Sequence, residues 1–597
     1  MLVTRCCRYT VSHTMGRCSL RRLVVIIATL SVMATITFFI YSLSLDSPSL
    51  PGVKQGQMVK LRARQRQSEE GMTSLMEEPD SNTANKEPLH QHAQEGNAED
   101  VVGVRNKNLD GRIINSNIVR EKTPSKGKKS KLVEKMSWPD KRKGDKGRQV
   151  AKVHSSKHRS QRLNEFMRVT DPLDVPRIAE YCNVPVREVR GREGEAPPGY
   201  SLKSVYLIVR HGDRSPMGSF KGSPNPILSC QHDSSKKFDI PNFDKFVSTM
   251  QYYQTRLHSG NTFPFHLYPR SQTCDSSELT GQGSLQHLLA GWHLHQRYVQ
   301  KWRLFSEPFS PSQVYVKSTG YSRTYQSAIA FLYTFLPALN LTDLNIFRSD
   351  NLFFCSEKSF GHSCSCPVLR QYKKMSDGEA GVYDRNNTDL KQVRQYIANV
   401  YNIKRQELPW LWSMIDTLMA YACHKIPLPC NKNNDCIEPA YLAELWHQLD
   451  LHGARLDELN SYQKYARLGI HPLLYEIKQH MVLTTKKKAK VKFVLYSGHD
   501  TTVSPLATAL GIGHGRWPKY ATRIAFELYS REEPKKHHFL RILMNGEDVT
   551  AKVSFCKGQA KSGFCKLKYF VEFVQKENLS LFNGKTYAQA CEQKTTN

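Results

Sequence analysis

Two arginines and a histidine lie together in the segment Arg210-His211-Gly-Asp-Arg214, where their side chains could handle an anion. The segment follows the apolar run SVYLIV at residues 204–209, which is typical of a buried β-strand. Cations gathered at the end of such a strand need an anionic partner, because burying an unpaired charge is costly. Phosphate fits this requirement, since the fork of a guanidinium group matches its oxygens.

Two further polar segments follow apolar runs that predict strands. Residues 314–319 lead into Arg323, which stands near the start of an apolar helical pattern. A helix N-terminus favours anions through its free N–H groups and its dipole. Residues 491–496 (VKFVLY) are followed by Ser-Gly-His499-Asp500, which places a histidine beside a carboxylic acid. Because ligands of open α/β sheets bind at the carboxyl ends of strands, we expect the three segments to share one site.

In this order, the three segments resemble those of the histidine acid phosphatases, the second branch of the histidine phosphatase superfamily. The resemblance rests on Arg-His-Gly-x-Arg-x-Pro at residues 210–216, on the arginine after a Ser-Thr strand end and on the late His-Asp pair. Residues 279–286 (LTGQGSLQ) also resemble the family's Leu-Thr-x-x-Gly-x-x-Gln segment. The likeness covers about residues 200–590. It implies an α/β fold with a central, mostly parallel sheet flanked by helices.

The resemblance also implies roles for six residues. His211 is expected to be the nucleophile that takes the phosphoryl group, and Asp500 the proton donor to the leaving alcohol. A bound phosphate should raise the pKa of Asp500, so that the carboxyl group holds a proton in a mildly acidic compartment. The residues expected to bind the phosphate oxygens are Arg210, Arg214, Arg323 and His499. No cofactor or metal is implied, because the arginines supply the charge that a metal would.

The sequence departs from the family pattern before the third arginine. Many relatives have Arg-Ser-Thr-Asp where this chain has Lys317-Ser-Thr-Gly320. Catalysis is expected to survive this change, while the fine contacts around the phosphate or the leaving group need not match those of the relatives. We interpret Asp213, inside the first motif, as a structural residue.

The intervening segments predict a mostly helical cap lobe over the site. Residues 408–424 and 438–449 have the apolar spacing of helices, and we assign their aromatic side chains to a core. Cys364-x-Cys366 could bind a metal, but without a second cluster at ligand spacing we favour disulfides. Cys556 and Cys565 could close a short loop.

The N-terminal third has a different composition. Residues 23–45 form a run of 23 residues without a charged side chain, long enough to span a membrane as a signal anchor. Residues 46–170 are predicted to be a disordered, basic stem, which is either a spacer or a surface for polyanions. We therefore expect a cytosolic tail at 1–22, the anchor, the stem and a luminal phosphatase domain at 171–597.

Several features favour this orientation. Five arginines and no acids precede the anchor, and twelve cysteines, an even number, follow it. Glycosylation sequons begin at Asn340, Asn386 and Asn578. An anchor followed by a stem is the layout of Golgi glycan-processing enzymes, so the sequence predicts a single-pass type II protein of the Golgi membrane.

Within the family, this layout resembles a Golgi member that removes the 2-O-phosphate from xylose in the glycosaminoglycan–protein linkage region. The expected substrate is therefore the phosphorylated xylose of a proteoglycan, and a Golgi glycosyltransferase is a possible partner. No nucleic-acid-binding motif is present, and nucleic acid is not an expected partner. Two alternatives stay open: a membrane-tethered acid phosphatase of broad or inositol-phosphate specificity, and a non-catalytic, polyanion-binding glycoprotein.

Overall fold

A computed structural model describes residues 168–592, apart from 187, 220, 222–224, 233–237, 255–264, 270–271, 338–339, 341–342 and 532–536. Within these residues no helix is both long and apolar enough to cross a membrane. The predicted anchor at 23–45 and nearly all of the predicted stem lie outside the described residues.

The central sheet contains eight strands in the described part of the chain, in the order β3-β2-β4-β1-β5-β6-β7, with β8 paired to β6. They are β1 (Tyr200–Arg210), β2 (Val314–Thr319), β3 (Ile346–Ser349), β4 (Phe493–Gly498), β5 (Arg523–Arg531), β6 (His537–Met544), β7 (Glu547–Asp548) and β8 (Cys565–Lys566). The three strands predicted from apolar runs are β1, β2 and β4.

The sheet is mixed, which corrects the expectation of a mostly parallel one. Strands β3, β2, β4 and β1 are parallel to one another. Strand β5 is antiparallel to β1, and β6 is antiparallel to β5, β7 and β8. Only five residues join β5 to β6, which is long enough for a hairpin and too short for the crossover that parallel strands require.

The described part of the chain contains thirteen α-helices, several of which cover the two faces of the sheet. They are α1 (Pro176–Cys182), α2 (Phe246–Gln254), α3 (Gly281–Leu294), α4 (Ser322–Phe335), α5 (Glu357–Phe360), α6 (Val368–Asn386), α7 (Thr388–Val400), α8 (Leu411–Cys423), α9 (Pro439–Glu458), α10 (Asn460–Thr485), α11 (Asp500–Leu510), α12 (Leu567–Gln575) and α13 (Tyr587–Cys591). The predicted helices at 408–424 and 438–449 correspond to α8 and α9.

Strand β1 reads as a continuous apolar run because it is buried on both faces. Its residues Val205, Leu207 and Val209 pack into one core with α3 and α4. Tyr206 and Ile208 point the other way, into a second core with α10, α11 and α12. A third core joins α1, α7, α8 and α9. The sheet is thereby fixed from both sides, and its strand ends can position side chains rigidly.

All twelve cysteines of the described residues form disulfide bonds. The pairs are Cys182–Cys423, Cys230–Cys274, Cys355–Cys364, Cys366–Cys591, Cys430–Cys436 and Cys556–Cys565. The predicted short loop between Cys556 and Cys565 is confirmed, as is the use of Cys364 and Cys366 in disulfides. Among the described residues, one group of possible metal ligands lies close together, Cys230, Cys274 and Glu278, but its two sulfurs are bonded to each other.

Candidate active site

The three polar segments meet at one edge of the sheet. Strand β4 lies between β1 and β2 and is parallel to both. Arg210 at the end of β1 pairs with Gly498 of β4, and Ser497 of β4 pairs with Ser318 of β2. The chain therefore leaves all three strands at the same level, and segments more than a hundred residues apart in the sequence become neighbours.

His211, the residue directly after β1, is only 2% exposed. Its Nδ1 lies 2.8 Å from the carbonyl oxygen of Gly212. A carbonyl can only accept, so Nδ1 carries the hydrogen and Nε2 keeps its lone pair. Burial lowers the pKa of His211 well below its usual range, and the charges of Arg323 and Arg210 add to this effect. The imidazole is thus held neutral, with one nitrogen suited to nucleophilic attack.

Gly212 lets the first motif approach α3 closely. A Cβ at this position would lie 2.3 Å from the carbonyl oxygen of Gly283, so no other residue fits. Gly283 belongs to the Leu-Thr-x-x-Gly segment noted in the sequence. Asp213, the residue after Gly212, is fully buried. Its carboxylate accepts a hydrogen bond from Thr280 Oγ1 at 2.5 Å and pairs with His424 Nε2 at 2.7 Å. These bonds tie the loop to α3 and to the end of α8.

Arg210 is fully buried inside an aromatic cage. Its guanidinium carbon lies 4.6 Å from the ring centroid of Tyr520, 5.2 Å from that of Tyr181 and 5.5 Å from that of Trp517. The electron-rich ring faces stabilise the cation and fix its plane. Its Nη2 lies 3.3 Å from Asp500 Oδ2, which links the first motif to the third.

Arg214 is held by a carboxylate on helix α8. Its two Nη groups donate to the two oxygens of Asp416 at 3.1 and 2.9 Å, a bidentate pair. Both side chains are almost completely buried, at 3% and 5% exposed. Sequence analysis did not single out Asp416, although a lone acid within a buried helix requires a cationic partner and could have been recognised for that reason.

Arg323 lies in the first turn of α4, which agrees with its predicted position near the start of a helix. Its Nη1 donates to Ser277 Oγ at 2.7 Å, and its guanidinium carbon lies 4.7 Å from the ring centroid of Tyr321. Burial and the charge of the neighbouring Arg214 lower the pKa of Arg323 to about 10, so the side chain still carries its charge at neutral pH. Ser277 has a positive φ of 70° and gives no sequence signal.

His499 follows β4 and is also buried. Its Nε2 lies 2.8 Å from Thr319 Oγ1, and its ring packs edge-on against Tyr321 with centroids 4.8 Å apart. The His211 and His499 rings are 5.5 Å apart. Burial and the charge of Arg323 lower the pKa of His499 well below its usual range, although Asp500 opposes them.

Asp500 is the first residue of α11. Its Oδ1 accepts from the backbone N–H of Thr501 at 2.8 Å, and its Oδ2 accepts from Trp517 Nε1 at 2.6 Å. Burial alone would raise its pKa, but the charge of Arg210, the Trp517 hydrogen bond and His499 outweigh it and lower the pKa of Asp500 to about 2. The carboxyl group is therefore ionised in the free site.

Lys317, the departure from the family pattern, lies away from this site. Its Nζ donates to the carbonyl oxygen of Phe354 at 2.9 Å and pairs with Glu476 of helix α10 at 3.3 Å. The lysine is therefore paired within the core.

The three sequon asparagines differ in exposure. Asn340 and Asn386 are exposed, whereas Asn578 is completely buried. Nδ2 of Asn578 lies 2.9 Å from the carbonyl oxygen of Arg467 and 3.1 Å from His471 Nδ1. A glycan on this nitrogen has no room in the fold, so the structure argues against the predicted glycosylation of Asn578.

The chain is similar to a known family and to several known proteins. Residues 201–545 match the family described as "Histidine phosphatase superfamily (branch 2)". The chain is 34% identical to 2-phosphoxylose phosphatase 1 of Xenopus tropicalis, over 69% of this chain and 82% of that protein. It is 32% identical to 2-phosphoxylose phosphatase 1 of Homo sapiens, over 71% and 87%. A solved phytase of Hafnia alvei covers 64% of this chain and 98% of its own at 16% identity and a TM-score of 0.40. The chain therefore belongs to branch 2 of the histidine phosphatase superfamily.

Proposed function

We infer that this protein is a phosphomonoesterase that acts through a phosphohistidine on His211. The observation that supports this function most strongly is the set of unused donors around that residue. Arg210, Arg214 and Arg323 each have a buried Nε for which the described residues offer no hydrogen-bond partner. A buried donor without a partner costs about 1–3 kcal/mol, and the oxygens of a phosphoryl group would supply the acceptors.

The proposed reaction has two steps, formation of the phosphohistidine and its hydrolysis. In the first, the phosphomonoester monoanion passes its proton to Asp500, His211 Nε2 attacks phosphorus, the bond from phosphorus to the ester oxygen breaks, and the leaving alkoxide takes that proton from Asp500. In the second, water attacks phosphorus, Asp500 takes a proton from that water, the bond from phosphorus to Nε2 breaks, and free phosphate leaves. Arg210, Arg214, Arg323 and His499 stabilise the charge on the equatorial oxygens in both steps.

The proposed substrate is the 2-O-phosphate of xylose in the glycosaminoglycan–protein linkage region, whose removal permits chain elongation. Its support comes from the relatives, since five proteins named 2-phosphoxylose phosphatase 1 are 30–34% identical to this chain over 82–93% of their own lengths. An acid phosphatase of broad or inositol-phosphate specificity would use the same residues, so only a substrate assay separates the two.

We further propose a single-pass type II protein of the Golgi membrane, with a tail at 1–22, an anchor at 23–45, a stem at 46–170 and the catalytic domain in the lumen. The charge pattern around the anchor supports this orientation. Six disulfides suit an oxidising compartment. The exposed Asn340 and Asn386 are the proposed glycosylation sites, and a Golgi glycosyltransferase is a proposed partner.

The test is an assay of phosphate release by the purified full-length protein. Linkage-region oligosaccharide carrying 2-phosphoxylose, inositol hexakisphosphate and a simple aryl phosphate are compared at equal concentration. We expect the highest kcat/KM for the phosphorylated oligosaccharide. A higher value for inositol hexakisphosphate would favour the broad acid phosphatase, and no release from any substrate would favour the non-catalytic glycoprotein.

A further inference from the structure

Strand β3 brings a further arginine, Arg348, to the edge of the sheet where Arg210, Arg214 and Arg323 lie. It is parallel to β2, with Ser349 opposite Thr319. The backbone N–H of Gly320 donates to the carbonyl oxygen of Ser349 at 3.1 Å, so the turn after β2 is fastened to the end of β3. Arg348, one residue before that end, is therefore close to the turn that leads to Arg323.

Gly320 makes room for the guanidinium group of Arg348. A Cβ on Gly320 would lie 3.0 Å from Arg348 Nε, 3.2 Å from Nη2 and 3.3 Å from Cζ. The flat guanidinium group thus lies directly against the backbone of Gly320. An aspartate at position 320 would place a second carboxylate, besides that of Asp350, against this cation.

The residues on either side of Gly320 both reach the catalytic groups. Thr319 Oγ1 lies 2.8 Å from His499 Nε2. The ring of Tyr321 packs against His499 and beneath the guanidinium group of Arg323. Arg348 therefore lies against the turn whose two flanking residues contact His499.

One of the three nitrogens of the Arg348 guanidinium group has a hydrogen-bond partner, and this bond orients the group. Its Nε donates to Asp350 Oδ1 at 2.8 Å, and the two side chains are 36% and 81% exposed. An exposed pair of this kind contributes little to stability, so Asp350 mainly fixes the direction of the side chain. The two Nη groups of Arg348 donate no hydrogen bond to a described residue.

We propose that Arg348, set against Gly320, forms a second anion subsite that binds a carboxylate or sulfate on the leaving-group side of the substrate. This inference rests on the proposed function, because it assumes that a phosphoryl group occupies the pocket around His211. The two Nη groups match a planar carboxylate or two sulfate oxygens. An acidic sugar or an acidic peptide next to the phosphorylated sugar would supply such a group.

The test compares matched substrates with wild-type full-length protein, Arg348→Gln and Gly320→Asp. One pair is phosphoxylosyl oligosaccharide with its uronic acid free or methyl-esterified, and the other is para-carboxyphenyl and para-nitrophenyl phosphate. We expect both variants to raise KM for the carboxylate-bearing substrates about tenfold, the size of one partly exposed charged hydrogen bond. KM for the two substrates without a carboxylate and kcat for all four should stay within about twofold.

Arg531→Gln is the control, because Arg531 is an exposed arginine at the opposite end of the sheet, where β5 pairs with Tyr200. It should leave every KM unchanged. If Arg348→Gln changes both members of each pair equally, or neither, the subsite does not exist. If the wild-type protein hydrolyses the aryl phosphates but neither oligosaccharide, the proposed substrate fails, and the aryl pair still decides whether Arg348 recognises a carboxylate.

Discussion

The free site holds His211 as a neutral imidazole and Asp500 as an ionised carboxylate, although the proposed mechanism requires Asp500 to donate a proton. His211 is neutral, because burial and the surrounding guanidinium groups lower its pKa well below the usual range. Asp500 is ionised, with a pKa of about 2. A phosphomonoester has a second pKa near 6, so its monoanion can bring the missing proton into the site. The bound phosphate, and not the free protein, is then what allows Asp500 to act as an acid.

This proton path predicts a leaving-group effect for Asp500→Asn. An alkoxide leaving group needs a proton, whereas a nitrophenolate does not, so the variant should lose about 100-fold or more in kcat/KM on a sugar phosphate but far less on an activated aryl phosphate. Steady-state kcat/KM for both substrates at pH 5 to 6 measures the difference, because it reports the first step and not the hydrolysis of the shared intermediate. Equal losses on the two substrates would contradict the role of Asp500 as an acid.

The six site residues could be predicted from the sequence because their motifs are local and each follows a strand. Their supporting partners could not. Asp416, Ser277 and Trp517 hold the motif side chains from parts of the chain that only the tertiary fold brings near. The burial of Asn578 was equally hidden, since a sequon carries no information about solvent exposure.

Helix α8 shows how an element outside the sheet completes the site. It packs into the core of α1, α7 and α9, and Cys423 at its end is bonded to Cys182 at the end of α1. From this fixed position it presents Asp416 to Arg214 and stops one residue before His424, which pairs with Asp213. The helix could be predicted from its apolar spacing, but its contact with the first motif could not.

We expect Asp416→Ala to weaken both the fold and phosphate binding. Removing one partner of a buried ion pair costs about 3–5 kcal/mol, and Arg214 would lose the carboxylate that orients it. Urea unfolding and the inhibition constant for inorganic phosphate measure the two effects. Asp548→Ala, which breaks a partly buried pair with Arg541 on β6, is the control. It should lower stability without changing phosphate inhibition, and an unchanged inhibition constant in Asp416→Ala would contradict the positioning role.

At the scale of the whole molecule, the mixed sheet explains why distant segments make one site. In the parallel half, β3-β2-β4-β1, the strands end at the same edge of the sheet. The antiparallel half, β5 to β8, continues the sheet beyond β1. The parallel half could be predicted, because helices separate its strands in the sequence. The antiparallel half was missed because β5 and β6 lie beyond the last motif and their apolar residues do not reveal direction.

The most direct test of this account is to trap the phosphoryl group on the protein. Asp500→Asn should slow the second step, so rapid quenching during turnover of a labelled aryl phosphate should capture the intermediate. We predict a label that is stable to alkali and labile to acid, located on the peptide that contains His211, and absent from His211→Ala. A label on another residue, or equal labelling of the His211→Ala protein, would contradict the claim that the three segments converge around a nucleophilic imidazole.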